Sequence, residues 1–372
     1  MHRTMQEPVK RLLEQEVRRS GNVDQAFLMV HSEKHGTHLN LTADKAGVRS
    51  ADPRQPYYTA SVGKLFTAVL IGMMKDQGLL SFQTQLTELL DDQLIQGLLV
   101  LDGKDRTGEI QLHHLLSHTS GLDDHWKPML EQTMEQPNRA VTPEDVLAWV
   151  KGNQPAVGAP GNKCRYSDTN YLLLGMVVER LLGLTFAQAV HQWIFIPLGM
   201  DRSSLFRQSV PRADDTVETA AFYSGKKRLN ENRGLPGIDY AGGSVVSTGE
   251  DLLLFMKALT QGRLVRQDTL DQMMTPKGRF GPGIGYGYGT MVFQPVPLLM
   301  PAKYCIWGHA GATGSFLFYH PAREVVFAGT FNQFEQERRG TRFLFRLMQQ
   351  LFKLWDKPVQ RKDECHAAKN KI

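Results

Sequence analysis

The chain has 372 residues, 41% of them hydrophobic and 22% charged, with a net charge of +5. That length predicts about two domains, and that balance predicts a globular protein with an apolar core and excludes a disordered chain. The positive charge is scattered in short runs such as Gly225-Lys226-Lys227-Arg228 and the tail after Lys357, which argues against the concentrated basic stripe of a nucleic-acid binder. Cys164, Cys305 and Cys365 are odd in number and lack a C-x-x-C pair, so neither a disulfide framework nor a zinc site is expected. The N-terminus has no apolar h-region or small-residue cleavage site. The longest apolar runs, near residues 66–74 and 172–178, fall well short of the ~20 residues that span a bilayer. A cytoplasmic protein with no membrane span is the expectation.

Residues 7–19 read as an amphipathic helix ending at Gly21, and residues 26–30 and 38–41 flank the turn-like Lys34-His35-Gly36 as a hairpin. A polar stretch with Pro53 and Pro56 leads to Ser61. From there apolar residues fall at 62, 65, 66, 69, 70 and 73, the spacing of a helix. Ala68, Ile71 and Met74 fill the positions between, so this helix is expected to be buried on most sides and to end near Gly78. Residues 80–200 read as mainly helical. Within them Thr142 caps a helix begun by Pro143, Glu144 and Asp145, and Pro155, Pro160 and Gly161 mark a loop before Tyr166 and a helix over about 169–182. Residues 201–240 are expected to be irregular, and Ser247-Thr-Gly-Glu-Asp251 caps a helix to about Leu259. Short β-like runs follow at 286–292, 302–307, 315–319 and 324–330, then a helix at 337–355.

This order predicts an α+β fold. Residues 1–60 and 240–372 would form a discontinuous α/β domain, an antiparallel sheet flanked by the N- and C-terminal helices. Residues 61–239 would form a mainly helical domain, with the active site in the cleft between the two.

Three motifs carry chemistry. In Ser61-Val-Gly-Lys64 the spacing of three puts serine and lysine on one helical face, with Cβ atoms ~5–6 Å apart. The helix N-terminus adds free N–H groups suited to a developing oxyanion. An unperturbed lysine, pKa ~10.4, is about 0.04% neutral at pH 7, so Lys64 acting as a base is expected to have its pKa lowered by about three units through burial. S-x-x-K by itself is weak: Ser224-Gly-Lys-Lys227 matches too, and there a polar loop predicts solvated surface. Tyr166-Ser-Asp168 supplies a phenol that could shuttle a proton beside the lysine. His309-Ala-Gly311 is a run of small residues along which a substrate could lie.

Taken together, these three motifs in order, with Leu115-Leu-Ser-His-Thr-Ser-Gly-Leu122, Pro160-Gly161 and Gly285-Tyr-Gly-Tyr-Gly289, resemble the serine β-lactamase and DD-peptidase superfamily. The likeness is greater to its class C-like branch of β-lactamase-like esterases, DD-carboxypeptidases and D-aminopeptidases, from about Thr59 to Asn332. It implies Ser61 as nucleophile, Lys64 and Tyr166 as the base and acid pair, and an oxyanion hole from the N–H groups of Ser61 and Ala312, with Asp168, His309, Ala310 and Gly311 lining the substrate site. No metal or cofactor is implied.

Two positions depart from the family pattern. Asp168 stands where many relatives have Asn; a carboxylate only accepts hydrogen bonds and would favour the charged form of Lys64. His309 stands where β-lactamases have Lys, and a histidine is mostly neutral at pH 7. Both lean toward an esterase on small esters or amides. A D-amino-acid peptidase or weak β-lactamase, a transacylase or peptide cyclase, and an inactive ligand-binding or scaffold protein stay open, as does the oligomeric state. His113, His114 and His118 lack the H-E-x-x-H of a zinc peptidase and are expected to be structural. The glycines of 281–289 lack the Lys-Ser/Thr of a phosphate loop, and no G-x-S-x-G occurs.

Overall fold

The computed structural model describes residues 2–48, 50–213, 217–297 and 301–356. Cys365 and the basic tail after Lys357 lie outside the described residues. Helix α1 (His2–Arg19) leads into the hairpin of β1 (Gln25–Ser32) and β2 (Thr37–Asp44). Helices α2 (Gly63–Asp76), α3 (Asp168–Leu182), α4 (Leu235–Gly243) and α5 (Gly249–Thr260) follow among others. The chain then lays down β3 (Gly278–Gly281), β4 (Ile284–Tyr286), β5 (Met291–Phe293), β6 (Trp307–Ala310), β7 (Phe316–His320) and β8 (Val325–Thr330), and closes with α6 (Glu337–Trp355).

The eight strands form one antiparallel sheet in the order β3-β4-β5-β6-β7-β8-β1-β2. The N-terminal hairpin therefore completes a sheet laid down mostly by the C-terminal part, with Phe27 opposite Thr330. Period-2 alternation covers both faces. Ala26, Leu28 and Val30 of β1 pack with Val325 and Phe327 of β8 against Val9, Leu13 and Val17 of α1 and Leu344, Leu347 and Leu351 of α6. Phe27, Met29, Val326 and Ala328 face the other way, into a core shared with α2, α3 and α5. Each Val, Leu, Phe or Met side chain among them contributes roughly 1.5–3 kcal/mol on burial, so the sheet is held largely by non-directional forces. An ion pair from Glu16 to Arg346 ties α1 to α6.

The α+β class is as expected. Thr142 caps its helix, accepting from the Asp145 amide at 3.1 Å, and Thr248 caps α5 in the same way. Some elements differ. Residues 201–240 are not wholly irregular, for α4 begins at Leu235, and after a kink at Tyr240, where φ is 32°, it goes on to Gly243. The run 286–292 is not one strand: β4 and β5 are separated by a turn at Gly287 and Gly289, whose apolar and aromatic flanks mimic a strand's composition. Residues 302–304 form a 3₁₀ turn, and β6 starts only at Trp307.

Among the described residues no single helix is long and apolar enough to cross a membrane. The bent pair Asp168–Leu182 and Phe186–Leu198 passes on length and composition alone, but residues 168–178 of α3 are buried inside the protein.

Candidate active site

Ser61 lies in a 3₁₀ turn, Ala60–Val62, that runs directly into α2, so the helix proper begins two residues after the serine. Ala60 has a φ of 47°, a left-handed conformation that costs a non-glycine residue roughly 1–2 kcal/mol. Its neighbour Thr59 holds it there. The Thr59 amide and hydroxyl both donate to the Val245 carbonyl, at 2.9 and 2.8 Å, and the Thr59 carbonyl accepts from the Ser315 hydroxyl at 2.6 Å. Gly63 abuts α4 so closely that a Cβ there would come within 2.8 Å of Gly243 Cα. This contact brings the carbonyls of α4's last turn against the start of α2.

Lys64 is fully buried. Its Nζ donates to Gly242 O at 2.9 Å, to the Asp168 carboxylate, and to Ser61 Oγ at 3.4 Å. Three acceptors use all three hydrogens of an ammonium. Burial pushes the Lys64 pKa down, but the charge of Asp168, followed by Tyr166 and Asp239, outweighs it and carries the pKa above the ordinary value. The expectation of a lowered lysine is therefore overturned. Desolvation is present, yet a carboxylate in direct contact dominates it.

Two further carboxyls crowd this ion pair. Asp124 accepts the Asp168 amide at 2.8 Å, and burial, reinforced by the charge of Asp168, lifts its pKa to about 7. Asp239 accepts the hydroxyl of Tyr58, and burial lifts it to about 7 against the pull of Lys64.

The half-buried Tyr166 has its ring centre 5.0 Å from Lys64 Nζ. Burial raises its phenol above the usual value, while the charge of Lys64 and hydrogen bonding to Ser61 and Lys64 pull the other way. Across the site His309 is buried on β6. Its Nδ1 lies 2.7 Å from the Ala310 carbonyl, which can only accept, so Nδ1 carries the proton and Nε2 accepts the Tyr286 hydroxyl at 2.8 Å. Burial and the charge of Lys64 lower the His309 pKa to about 3, so at neutral pH it is an uncharged residue.

Beyond it the chain turns at Gly311, where a Cβ would lie 2.8 Å from the Thr59 carbonyl and 3.1 Å from Ala60 Cβ. Only a glycine lets β6 approach the serine turn this closely. The next residue, half-buried Ala312, has an amide with no hydrogen-bond partner among the described residues. The structure thus brings together Ser61, Lys64, Tyr166, Asp168, His309, Ala310, Gly311 and Ala312. Ser224 lies apart, on the two-stranded hairpin of Tyr223–Ser224 and Lys227–Arg228, with both lysines of its motif exposed.

Sequence reading missed Asp124, Asp239 and the Gly242 carbonyl, because nothing in a local pattern marks an acid or a carbonyl far along the chain as a lysine's neighbour. Tyr286 belongs to the quoted Gly285-Tyr-Gly-Tyr-Gly289, but its bond to His309 carries no sequence signal.

Known proteins resemble this chain in sequence and fold. The sequence model of the family described as Beta-lactamase matches residues 11–348. Penicillin-binding protein 4* of Bacillus subtilis (strain 168) is 26% identical over 68% of this chain and 54% of its own length. Acyltransferase mokF of Monascus pilosus is 30% identical over 59% of this chain and 57% of its own. The chain thus spans about half the length of the curated relatives it matches. Among solved structures, a D-stereospecific amidohydrolase from Streptomyces sp. superposes with a TM-score of 0.71 at 25% identity, covering 89% of this chain and 95% of that one. EstCE1, a hydrolase with promiscuous acyltransferase activity, reaches 0.74 at 19% identity over 94% of this chain and 99% of its own, a likeness of fold. With the family's sequence pattern running over residues 11–348, the chain belongs to the Beta-lactamase family.

Proposed function

We propose that this chain is a serine hydrolase that forms an acyl-enzyme on Ser61 with small esters or amides, most readily as an esterase. The observation that carries this reading is a fully buried Lys64 whose Nζ lies 3.4 Å from Ser61 Oγ, with the Tyr166 ring beside it. Ser61 Oγ attacks the substrate carbonyl carbon and passes its proton to Lys64 Nζ. For Lys64 to receive it, the resting ammonium must first give up a proton to solvent, a step that the charge of Asp168 opposes and that adds to the barrier. The oxyanion accepts from the amides of Ser61 and Ala312, each such donor being worth about 10²–10³ in rate. Tyr166 relays a proton to the leaving group, the carbonyl re-forms, and the C–O or C–N bond breaks. Water then repeats the sequence and releases the acid.

The neutral, Tyr286-bound His309 supports a lean to substrates without a carboxylate, since no fixed cation stands at that position. A second reading, amidase action on amino-acid amides, draws on the likeness to a D-stereospecific amidohydrolase. Acyl transfer to an alcohol uses the same acyl-enzyme and differs in the acceptor.

Intact mass after a fluorophosphonate, and separately after a penicillin, tests the proposal in the parent, Ser61→Ala and Ser224→Ala. One adduct lost only in Ser61→Ala is expected. No adduct on the parent would sink the catalytic reading in favour of a binding protein. A lasting penicillin adduct, or faster turnover of D-phenylalanine amide than of p-nitrophenyl butyrate, would favour a peptidase or amidase over an esterase.

A further inference from the structure

His118, in the Leu115–Leu122 segment, has no part in the chemistry above, yet it meets the chain on both sides of Tyr166. Its carbonyl accepts the Arg165 amide at 2.7 Å, and its Nδ1 accepts the Ser167 amide at 3.3 Å. The same Nδ1 receives Nδ2 of Asn170 at 3.1 Å, and the orientation of that amide is fixed by the Ser120 hydroxyl, which donates to Asn170 Oδ1 at 2.5 Å. Two N–H donors converging on Nδ1 leave the imidazole proton on Nε2. That nitrogen is buried with no hydrogen-bond partner among the described residues, and the ring packs 4.2 Å from the Tyr166 ring, centre to centre. Two further rungs extend the match: Thr119 O accepts from Gly161 at 2.7 Å, and Gly121 O from Val157 at 2.8 Å. His118 itself is 1% exposed and sits at a φ of 57°, a conformation that turns its carbonyl and its ring toward the same loop.

We infer that His118 is a positioning residue: as a neutral imidazole it clamps the peptides before and after Tyr166, and so fixes where the phenol stands relative to Ser61 and Lys64. The inference rests on the proposed role of Tyr166. The needed group is an acceptor at the Nδ1 position. Asparagine places its Oδ1 there and tolerates positive φ, whereas glutamine places its amide one bond further out, at the Nε2 position.

The test compares His118→Asn, His118→Gln and Tyr166→Phe on one activated ester, with kcat and KM separated and sites counted by fluorophosphonate titration of Ser61. His118→Asn is expected to stay within about threefold of the parent in kcat, and His118→Gln to lose about 30- to 100-fold in kcat per titrated site with little change in KM, the scale of a misplaced catalytic group. Equal rates in the Asn and Gln variants would overturn the inference, because the position of the acceptor would then not matter. So would a loss that disappears once rates are counted per titrated site. If Tyr166→Phe is inactive while His118→Gln runs at full rate, the inference alone falls. If Tyr166→Phe keeps full kcat, the reading of Tyr166 falls and takes the inference with it.

Discussion

The sheet and the polar knot around Lys64 are both buried, but they are held in opposite ways. In the sheet, Leu28, Val30, Phe318 and Phe327 meet apolar neighbours from α1 and α6, with few directional demands beyond the ladder. Around Lys64, Asp168, Asp124, Asp239, Tyr58 and the Gly242 carbonyl converge from separate stretches of chain, and each contact depends on one atom facing another. Removing charges from water costs several kcal/mol per ion, so the knot is a place where stability is given up for a specified arrangement. One region accounts for the fold, and the other matches the proposed chemistry.

The largest test of that contrast is on rate. Ser61→Ala should lower turnover of an activated ester by roughly 10⁴-fold or more, and Lys64→Ala by about 10²–10⁴-fold, both read from initial rates at fixed folded concentration. Lys64→Ala also strands Asp168 as a buried unpaired carboxylate, so urea unfolding should show a loss of about 3–5 kcal/mol. Phe327→Ala in β8 should lose about as much stability, 3–5 kcal/mol, while activity per folded molecule stays within about threefold. A large loss of specific activity in Phe327→Ala would break the separation of the two regions.

A smaller effect concerns Asp168. Asp168→Asn removes the main charge that raises Lys64, so the lysine pKa falls. If neutral Lys64 is the base, activity rises with pH through that pKa, and the acidic limb of kcat/KM should move down by at least about one pH unit. An unmoved profile would separate Asp168 from base function.

A last effect is on stability against pH. Asp239 has a folded pKa raised to about 7, whereas its unfolded value is ~3.9. Between those values the folded state holds a proton that the unfolded chain has released, so this carboxyl's contribution is fully present below pH ~4 and is lost as pH rises through about 7. Asp239→Asn should therefore flatten the fall in melting temperature between pH 4 and 7. An unchanged slope would place the titration elsewhere.

What could be read from the sequence follows the same division. α6 was legible to its last residue, because apolar positions 343, 344, 347, 351 and 352 repeat with a helix's period. The β1–β2 hairpin was legible from its turn, and the caps at Thr142 and Thr248 from the acids that follow them. Reading 286–292 as one strand failed because β-forming aromatics flank Gly287 and Gly289, and the turn is fixed by contacts from elsewhere. At Gly289 a Cβ would come within 2.3 Å of Ala68 Cβ, a neighbour more than 200 positions earlier in the chain.

By itself the sequence determined the class of fold and singled out the polar groups that the tertiary structure brings together, since periodicity, turn residues and short motifs are local properties that a few residues carry in full. The state of those groups was decided only in three dimensions. Burial alone would have made Lys64 a free base, but Asp168, Tyr166 and Asp239 keep it protonated, and Tyr286 and Ala310 fix the tautomer of His309. A pKa is set by whichever charges and dipoles lie within a few ångströms, and which those are is known only after the chain has folded.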